Sequence, residues 1–234
     1  MSEPRQITDI YKFQGMYAKN LDFECQEYRV CWQGDWQNPP DLTDFPTVPN
    51  ATITTIPHSY QADEVWINST VLRYGSDSHI RLLNSTEDEQ FPICKVAIDD
   101  HQRRLIKDEY AILCDLGSRG APVVRVHSQP LTDESGIFGF RMERPSPVLN
   151  IKIDRTQAIE RLQQIHKRQI VHNDFHPGNV MMNRKGNLLV IDFGRSGRVG
   201  DDIPHAKRCP WRQEESYSFE ADYIGLDKFF EICS

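Results

Sequence analysis

The sequence predicts an α+β fold: a small antiparallel sheet carrying one helix, followed by a mainly helical second part. Three observations lead there. Between residues 65 and 99, VWINSTVLRYG, HIRLL and FPICKVAI are rich in β-branched and aromatic residues, and polar NSTEDEQ offers a turn, so they read as a three-stranded meander. Residues 101–116, HQRRLIKDEYAILCDL, place Leu105, Ile112 and Leu116 on one helical stripe and meet a stop signal at Gly117. Beyond the proline break Pro145-Ser-Pro147, a second helix over about 155–168 spaces Ile159, Leu162 and Ile165 toward a core, with Asp154 as cap and Gln157 three residues on.

At 234 residues the chain can form one large domain or two small lobes with a sizeable core. Its organisation divides at 1–64, 65–144 and 145–234. In the first part Phe23, Cys25, Tyr28, Val30 and Trp32 nearly alternate, as a strand or hairpin would. The following QNPPDLTDFPTVPN cannot supply ladder donors at its prolines and reads as extended loop, so 1–64 is expected to be an extension on the main fold. Two further β segments are expected at APVVRVHS and GIFGFRMER.

Composition excludes several functions. With 27 Lys and Arg against 34 Asp and Glu, the net charge of −7 repels a polyanion, so nucleic acid is not an expected partner. No stretch approaches the ~18 apolar residues of a membrane span, and MSEPRQITDIYKF lacks the basic-then-apolar pattern of a leader. Six dispersed cysteines form no CxxC pair and read as free thiols, neither a zinc site nor a disulfide framework. Three Asn-x-Thr sequons, at Asn50, Asn68 and Asn84, point toward secretion, but with no leader pattern an intracellular setting, cytoplasmic or nuclear, is expected.

Glu109 lies on the apolar stripe of the first helix. Burying a carboxylate without a partner costs roughly several kcal/mol, so either that helix asks for a cation or Glu109 lies at an edge and reaches water, the reading the helix alone favours. Farther on, IVHNDFHPGNVMMNRKGNLLVIDFG contains two strands, VMMN and LLVID, around the turn Arg184-Lys185-Gly186-Asn187. A register pairing Asn183 with Leu188 sets Asn179 opposite Asp192. Two hard oxygen donors at one end of a hairpin, with Asp174 on the loop just upstream, are what a magnesium ion carrying phosphates needs.

His172-x-Asp174-x-x-x-x-Asn179 followed by Asp192-Phe193-Gly194 resembles the catalytic loop and metal-binding motif of the protein-kinase-like superfamily. Lys95, mid-strand in ICKVA, precedes Glu109 by fourteen residues, similar to the family's pairing of a strand lysine with a helix glutamate. The resemblance implies a two-lobed fold, with ATP and Mg2+ as cofactors and γ-phosphoryl transfer to a hydroxyl as the reaction. By the same resemblance Asp174 accepts the hydroxyl's proton, Asn179 and Asp192 hold the metal, Lys95 holds the inner phosphates and Glu109 holds Lys95. Adenine would lie against Met142 and Glu143 at the connection between the lobes.

Departures from the family qualify that picture. Gly75 stands alone where the family's phosphate loop usually has three glycines, so Ser76, Ser78 and backbone amides would share that work. Only about thirty residues separate Glu143 from His172, and forty follow Gly194, so the second lobe is expected to be reduced. His-Pro-Gly-Asn at 176–179 is more similar to aminoglycoside and choline phosphotransferases than to protein kinases, which favours a small-molecule acceptor. The chain is also similar to small fungal kinase-like proteins. In FEADYIGLDKFFEIC, Asp222 resembles an aspartate that braces the family's catalytic loop, and a plain core helix is the other reading. His172 reads as a structural brace. The basic residues Arg195, Arg198, Lys207, Arg208 and Arg212 read as a solvated loop or as a surface for an acidic acceptor. The alternative function is an inactive module of the same fold that holds nucleotide or a partner, the latter through residues 1–64.

Overall fold

The computed structural model describes residues 3–6, 10–24, 26–56, 58–75, 77–84, 90–147, 155–208 and 214–232. Cys25, Ser76, the Asp154 cap, Cys209, Arg212 and Cys233 lie outside them. The aromatic stretch near the start forms a hairpin of β3 (Met16–Phe23) and β4 (Gln26–Trp32), whose register sets Leu21 opposite Tyr28 and Tyr17 opposite Trp32. β1 (Arg5–Gln6), β2 (Tyr11–Phe13) and β5 (Ala51–Thr55) complete a five-stranded antiparallel sheet. The proline-rich segment contributes no strand. It folds over one face and delivers Phe45 and Val48 onto Leu21 and Val30, with Phe45 edge-on to both Phe23 and Tyr28.

The second sheet has the order β6 (Ser69–Tyr74), β7 (His79–Leu83), β8 (Ile93–Val96), β10 (Gly136–Met142), β9 (Leu131–Asp133), all antiparallel. The expected meander is therefore present, but its first strand starts later. Residues 60–67 form helix α1 (Tyr60–Ile67), because Ser59 caps it by accepting the Ala62 N–H at 3.2 Å. Helical geometry lets Trp66 reach Cys94, Val96 and Phe138 from above the sheet, with the Arg81 guanidinium 4.4 Å over its ring.

Helix α2 (Asp100–Ser118) starts at Asp99, whose carboxylate accepts the Gln102 N–H at 2.8 Å, and lays Leu105, Ile106, Leu113 and Leu116 inward. Its start is tied to the β9–β10 turn by a bidentate pair, Arg103 to Asp133 at 2.9 and 2.6 Å. Arg103, helped by Ser59 and the Ser135 N–H and opposed by burial, holds the Asp133 carboxyl down at about 2. A carboxyl that titrates lower when folded stabilises above its ordinary pKa of 3.8 and loses that contribution as pH falls through about 2. Asp133→Asn is therefore expected to cost about 1–2 kcal/mol at pH 7, with the deficit shrinking below pH 4 in urea unfolding curves.

The expected strand at 121–128 is absent as a ladder. Val123 bridges to Val190 and Val126 bridges to Met142, so this stretch spends its backbone groups on two different sheets and stitches them together. The second part contains α3 (Arg155–His166) and α4 (Phe219–Ile232), which pack on one another, and several short strands. These are β11 (Ser146–Pro147), β12 (Ile170–Val171), β13 (Val180–Met182), β14 (Leu188–Val190) and β15 (Gly197–Arg198). A single core runs from Ile106, Leu113 and Phe140 through Leu162 and Ile165 to Val190, Phe193 and Leu226.

The β13–β14 register differs by one residue from the sequence expectation. Met182 pairs with Leu188 and Val180 with Val190, so Asn183 meets Asn187 and Asn179 meets Ile191 rather than Asp192. The turn is shorter because the Asn183 carboxamide accepts the N–H groups of Lys185 and Asn187, and Gly186 takes φ +80°.

Candidate functional site

Strand alternation sorts β8. Cys94 and Val96 face the α1 cluster, while Ile93 belongs to the core under α2, so Lys95 is turned toward α2. There the buried Lys95 ammonium lies 2.7 Å from Glu109 Oε2 and 2.8 Å from Asp192 Oδ1. The cation that Glu109 required is thus Lys95. Its other oxygen, Oε1, accepts the Phe193 N–H at 3.0 Å, so one carboxylate orients the lysine and grips the backbone after Asp192. Asp192 takes φ +66°, which turns its side chain off the β14 line.

Two carboxylates sharing one ammonium leave this buried cluster one negative charge in excess. Burial pushes Glu109 up to about 7 despite Lys95. Burial also opposes the Lys95 charge, yet Asp192 and Glu109 outweigh it and hold the amine above its ordinary value. Asp192 falls below the usual carboxylate range because Lys95 outweighs its own desolvation. Glu109 is therefore the member of the cluster that takes up a proton most readily.

Asp174 sits on the loop between β12 and the 3-10 turn Pro177–Asn179. Its backbone is fixed from both sides. The Asn179 Nδ2 donates to the Asp174 carbonyl at 3.0 Å, and the Asp174 N–H donates to His172 Nδ1 at 3.3 Å. A carbonyl can only accept, so His172 Nε2 carries the hydrogen in its 2.9 Å bond to the Ile191 oxygen, and Nδ1 is free to receive Asp174. His172 thereby ties the Asp174 loop to the residue before Asp192. Among the described residues the Asp174 carboxylate takes part in no hydrogen bond; His176 Nε2 is 3.9 Å away.

Beneath the loop, fully buried Asp222 accepts His172 N–H at 2.8 Å and Asn173 N–H at 2.7 Å, and its Oδ2 lies 2.9 Å from His166 Nε2. Both readings of the last helix hold together: α4 packs into the core and its aspartate braces the loop. Asp222→Ala strands two buried N–H donors and is expected to cost about 3–5 kcal/mol in chemical denaturation.

The nucleotide-side residues are less convergent. Met142 is buried in the core and pairs with Ile93. Glu143 is occupied by Arg125, whose N–H and guanidinium meet its carboxylate at 2.9 and 3.0 Å. A cavity of about 250 Å3 beside Glu143 is lined by Gln90, Arg125, Arg144 and Arg184 and shares no residue with the Lys95 cluster. Gly75 closes the β6–β7 turn by donating to the Ser78 carbonyl at 2.9 Å, and an added Cβ would meet that oxygen at 3.1 Å. Sequence reasoning missed how this turn is held: Asp77 pairs with Arg195 at 3.0 Å. The basic residues after Gly194 are not uniformly solvated, since Arg195 and Lys207 turn inward. The only sequence signal was a cation placed directly after the Asp-Phe-Gly triplet.

Among the described residues no three His, Cys, Asp or Glu side chains gather as a metal cage. Asn179 spends its Nδ2 on Asp174, leaving Oδ1, and Asp192 keeps a partly exposed carboxylate with only Oδ1 on Lys95. Two hard oxygen donors suit a magnesium ion that retains water and takes phosphate oxygens, and they do not suit zinc.

Comparison with known proteins agrees with this geometry. The model of the phosphotransferase enzyme family APH matches residues 144–199, which contain both the Asp174–Asn179 loop and Asp192-Phe193-Gly194. Over that segment, about a quarter of its length, the chain is similar to phosphotransferases of the protein-kinase-like superfamily. The serine/threonine-protein kinase mph1 of Schizosaccharomyces pombe (strain 972 / ATCC 24843) is 32% identical over 77 residues, 33% of this chain and 11% of that protein. The chain thus spans about a tenth of that relative's length. The APH match does not reach Lys95 or Glu109, so for this kinase-like chain the upstream half of the site rests on the ion pairs themselves. Among the described residues, four sheets and their flanking helices form an α+β fold, and no helix is long and apolar enough to cross a membrane.

Proposed function

We propose that the chain is an ATP- and magnesium-dependent phosphotransferase that moves the γ-phosphoryl group onto a hydroxyl. The observation that carries this reading is the Lys95–Glu109–Asp192 cluster, assembled from residues up to 97 apart in the chain. Lys95 holds the inner phosphates, and Glu109 keeps the ammonium from folding away. Magnesium, held by Asn179 and Asp192, would supply charge neutralisation at the phosphates. Asp174, fixed through its backbone but uncommitted at its carboxylate, orients the acceptor hydroxyl and takes its proton as the new O–P bond forms and the bond to the ADP oxygen breaks. Phosphoryl transfer asks the protein mainly for such placement.

The acceptor is a hydroxyl of a small molecule or of a protein. The His176-Pro-Gly-Asn179 loop beside Asp174 supports the first, and the similarity to a serine/threonine-protein kinase supports the second. We place the chain inside the cell, with residues 1–64 as an appended module for a protein partner, 65–144 as the first lobe and 145–234 as the second. The rival reading is an inactive module. It is favoured by the Asp77–Arg195 pair that ties down the lone-glycine turn and by the occupied Glu143.

The test is incubation of the full chain with γ-labelled ATP, magnesium and mixed panels of metabolites and proteins. Label on a small product or on a protein is expected. ATP binding with no transfer and no hydrolysis against any panel would favour the inactive module.

A further inference from the structure

Lys207 ends a short 3-10 turn, His205–Lys207, on the segment that follows Gly194. A lysine on a loop ordinarily keeps its ammonium in water. This one is 7% exposed; its Nζ donates to the Ser196 carbonyl at 3.2 Å and lies 2.9 Å from Asp108 Oδ2. Its two partners belong to different parts of the molecule. Asp108 immediately precedes Glu109 on α2, and Ser196 is the second residue after Gly194. Ser196 is itself fully buried and donates its hydroxyl to the His172 carbonyl at 3.0 Å. An unbroken line of polar contacts therefore runs from the Asp174 loop through Ser196 and Lys207 to α2.

That line answers an electrostatic problem at the site. Glu109 and Asp192 repel one another across the single Lys95 ammonium, so α2 needs a further attraction to stay against the segment after Asp192. Lys207 provides a positive charge from that segment, and Asp108 receives it one residue from Glu109. We infer that Lys207 is a positioning residue, clamping α2 to the segment after Gly194 so that Glu109 stays within reach of Lys95 and the Phe193 N–H. Both charges are carried by the chain itself, so the clamp forms without covalent modification. The structural part of this inference stands apart from the phosphotransferase reading; its consequence for ATP use rests on it.

The experiment acylates the full chain with acetic anhydride at pH 8 and follows each lysine by peptide mass spectrometry. Once Glu109 no longer engages it, the buried Lys95 amine is open to the reagent for more of the time. Asp108→Asn and Lys207→Met are expected to raise Lys95 acylation by about tenfold through this local opening. Lys207→Arg should keep the parent rate, and buried Lys19 should not change. Asp108 is half-exposed, so its variant is expected to remain folded even if Lys207→Met does not. Unchanged Lys95 acylation in Asp108→Asn overturns the proposal, as does a parallel rise at Lys19, which marks general loosening. With ATP, Asp108→Asn should lower kcat/KM and Lys207→Arg should retain it. A parent chain that turns over no ATP defeats the phosphotransferase reading while leaving the acylation result to decide the clamp.

Discussion

Asp174→Asn is expected to bind Mg-ATP like the parent chain and to transfer the γ-phosphoryl group about 10²–10⁴-fold more slowly. The reason is the division of labour in its surroundings. Backbone contacts from Asn179 and His172 hold the residue in place, so a side-chain change from carboxylate to amide leaves the loop intact. What disappears is the acceptor for the hydroxyl proton. Single-turnover transfer measured beside equilibrium ATP binding separates the two quantities, and a variant that loses both together would mean that Asp174 serves nucleotide binding instead.

The second large effect belongs to Asp192→Asn. This substitution removes one carboxylate donor for a cation and one of the two anionic partners of Lys95. Leaving the phosphates short of a bridging cation is expected to cost about 3 kcal/mol or more of Mg-ATP binding, roughly a hundredfold in affinity. The fold should survive, because Glu109 still pairs with Lys95 and still accepts the Phe193 N–H. Glu109 should also lose its like-charged neighbour, so its carboxyl titrates lower in this variant than in the parent. Isotope-edited infrared spectroscopy of the carboxyl stretch checks that direction, and an unchanged Glu109 titration would deny the coupling between the two acids.

Much of the site was legible in the sequence because the chemistry forces unusual residues into recognisable places. Glu109 on an apolar helical stripe left two readings, a water-facing edge or a buried pair, and the 2.7 Å contact with Lys95 shows the pair. The three-stranded meander and α2 followed from local periodicity, which tertiary contacts reinforced. Errors arose where a capping or turn interaction competed with periodicity. Val65, Trp66 and Ile67 read as a strand start, but the Ser59 cap made them helix. The β13–β14 register slipped by one because the Asn183 side chain tightened the turn. Residues 121–128 carried a strand's composition yet bridge two sheets, a role set by the placement of both. Least legible were Arg195 and Lys207, since whether a cation after the Asp-Phe-Gly triplet faces water, the β6–β7 turn or α2 depends on contacts between residues about a hundred apart.

Calorimetric titration of the full chain with ATP, in magnesium and again in excess chelator, decides whether the Lys95–Glu109–Asp192 cluster holds a nucleotide. Saturable one-site binding is expected in magnesium, weakening strongly in chelator and in Asp192→Asn. Heats no larger than dilution in the presence of magnesium would contradict it.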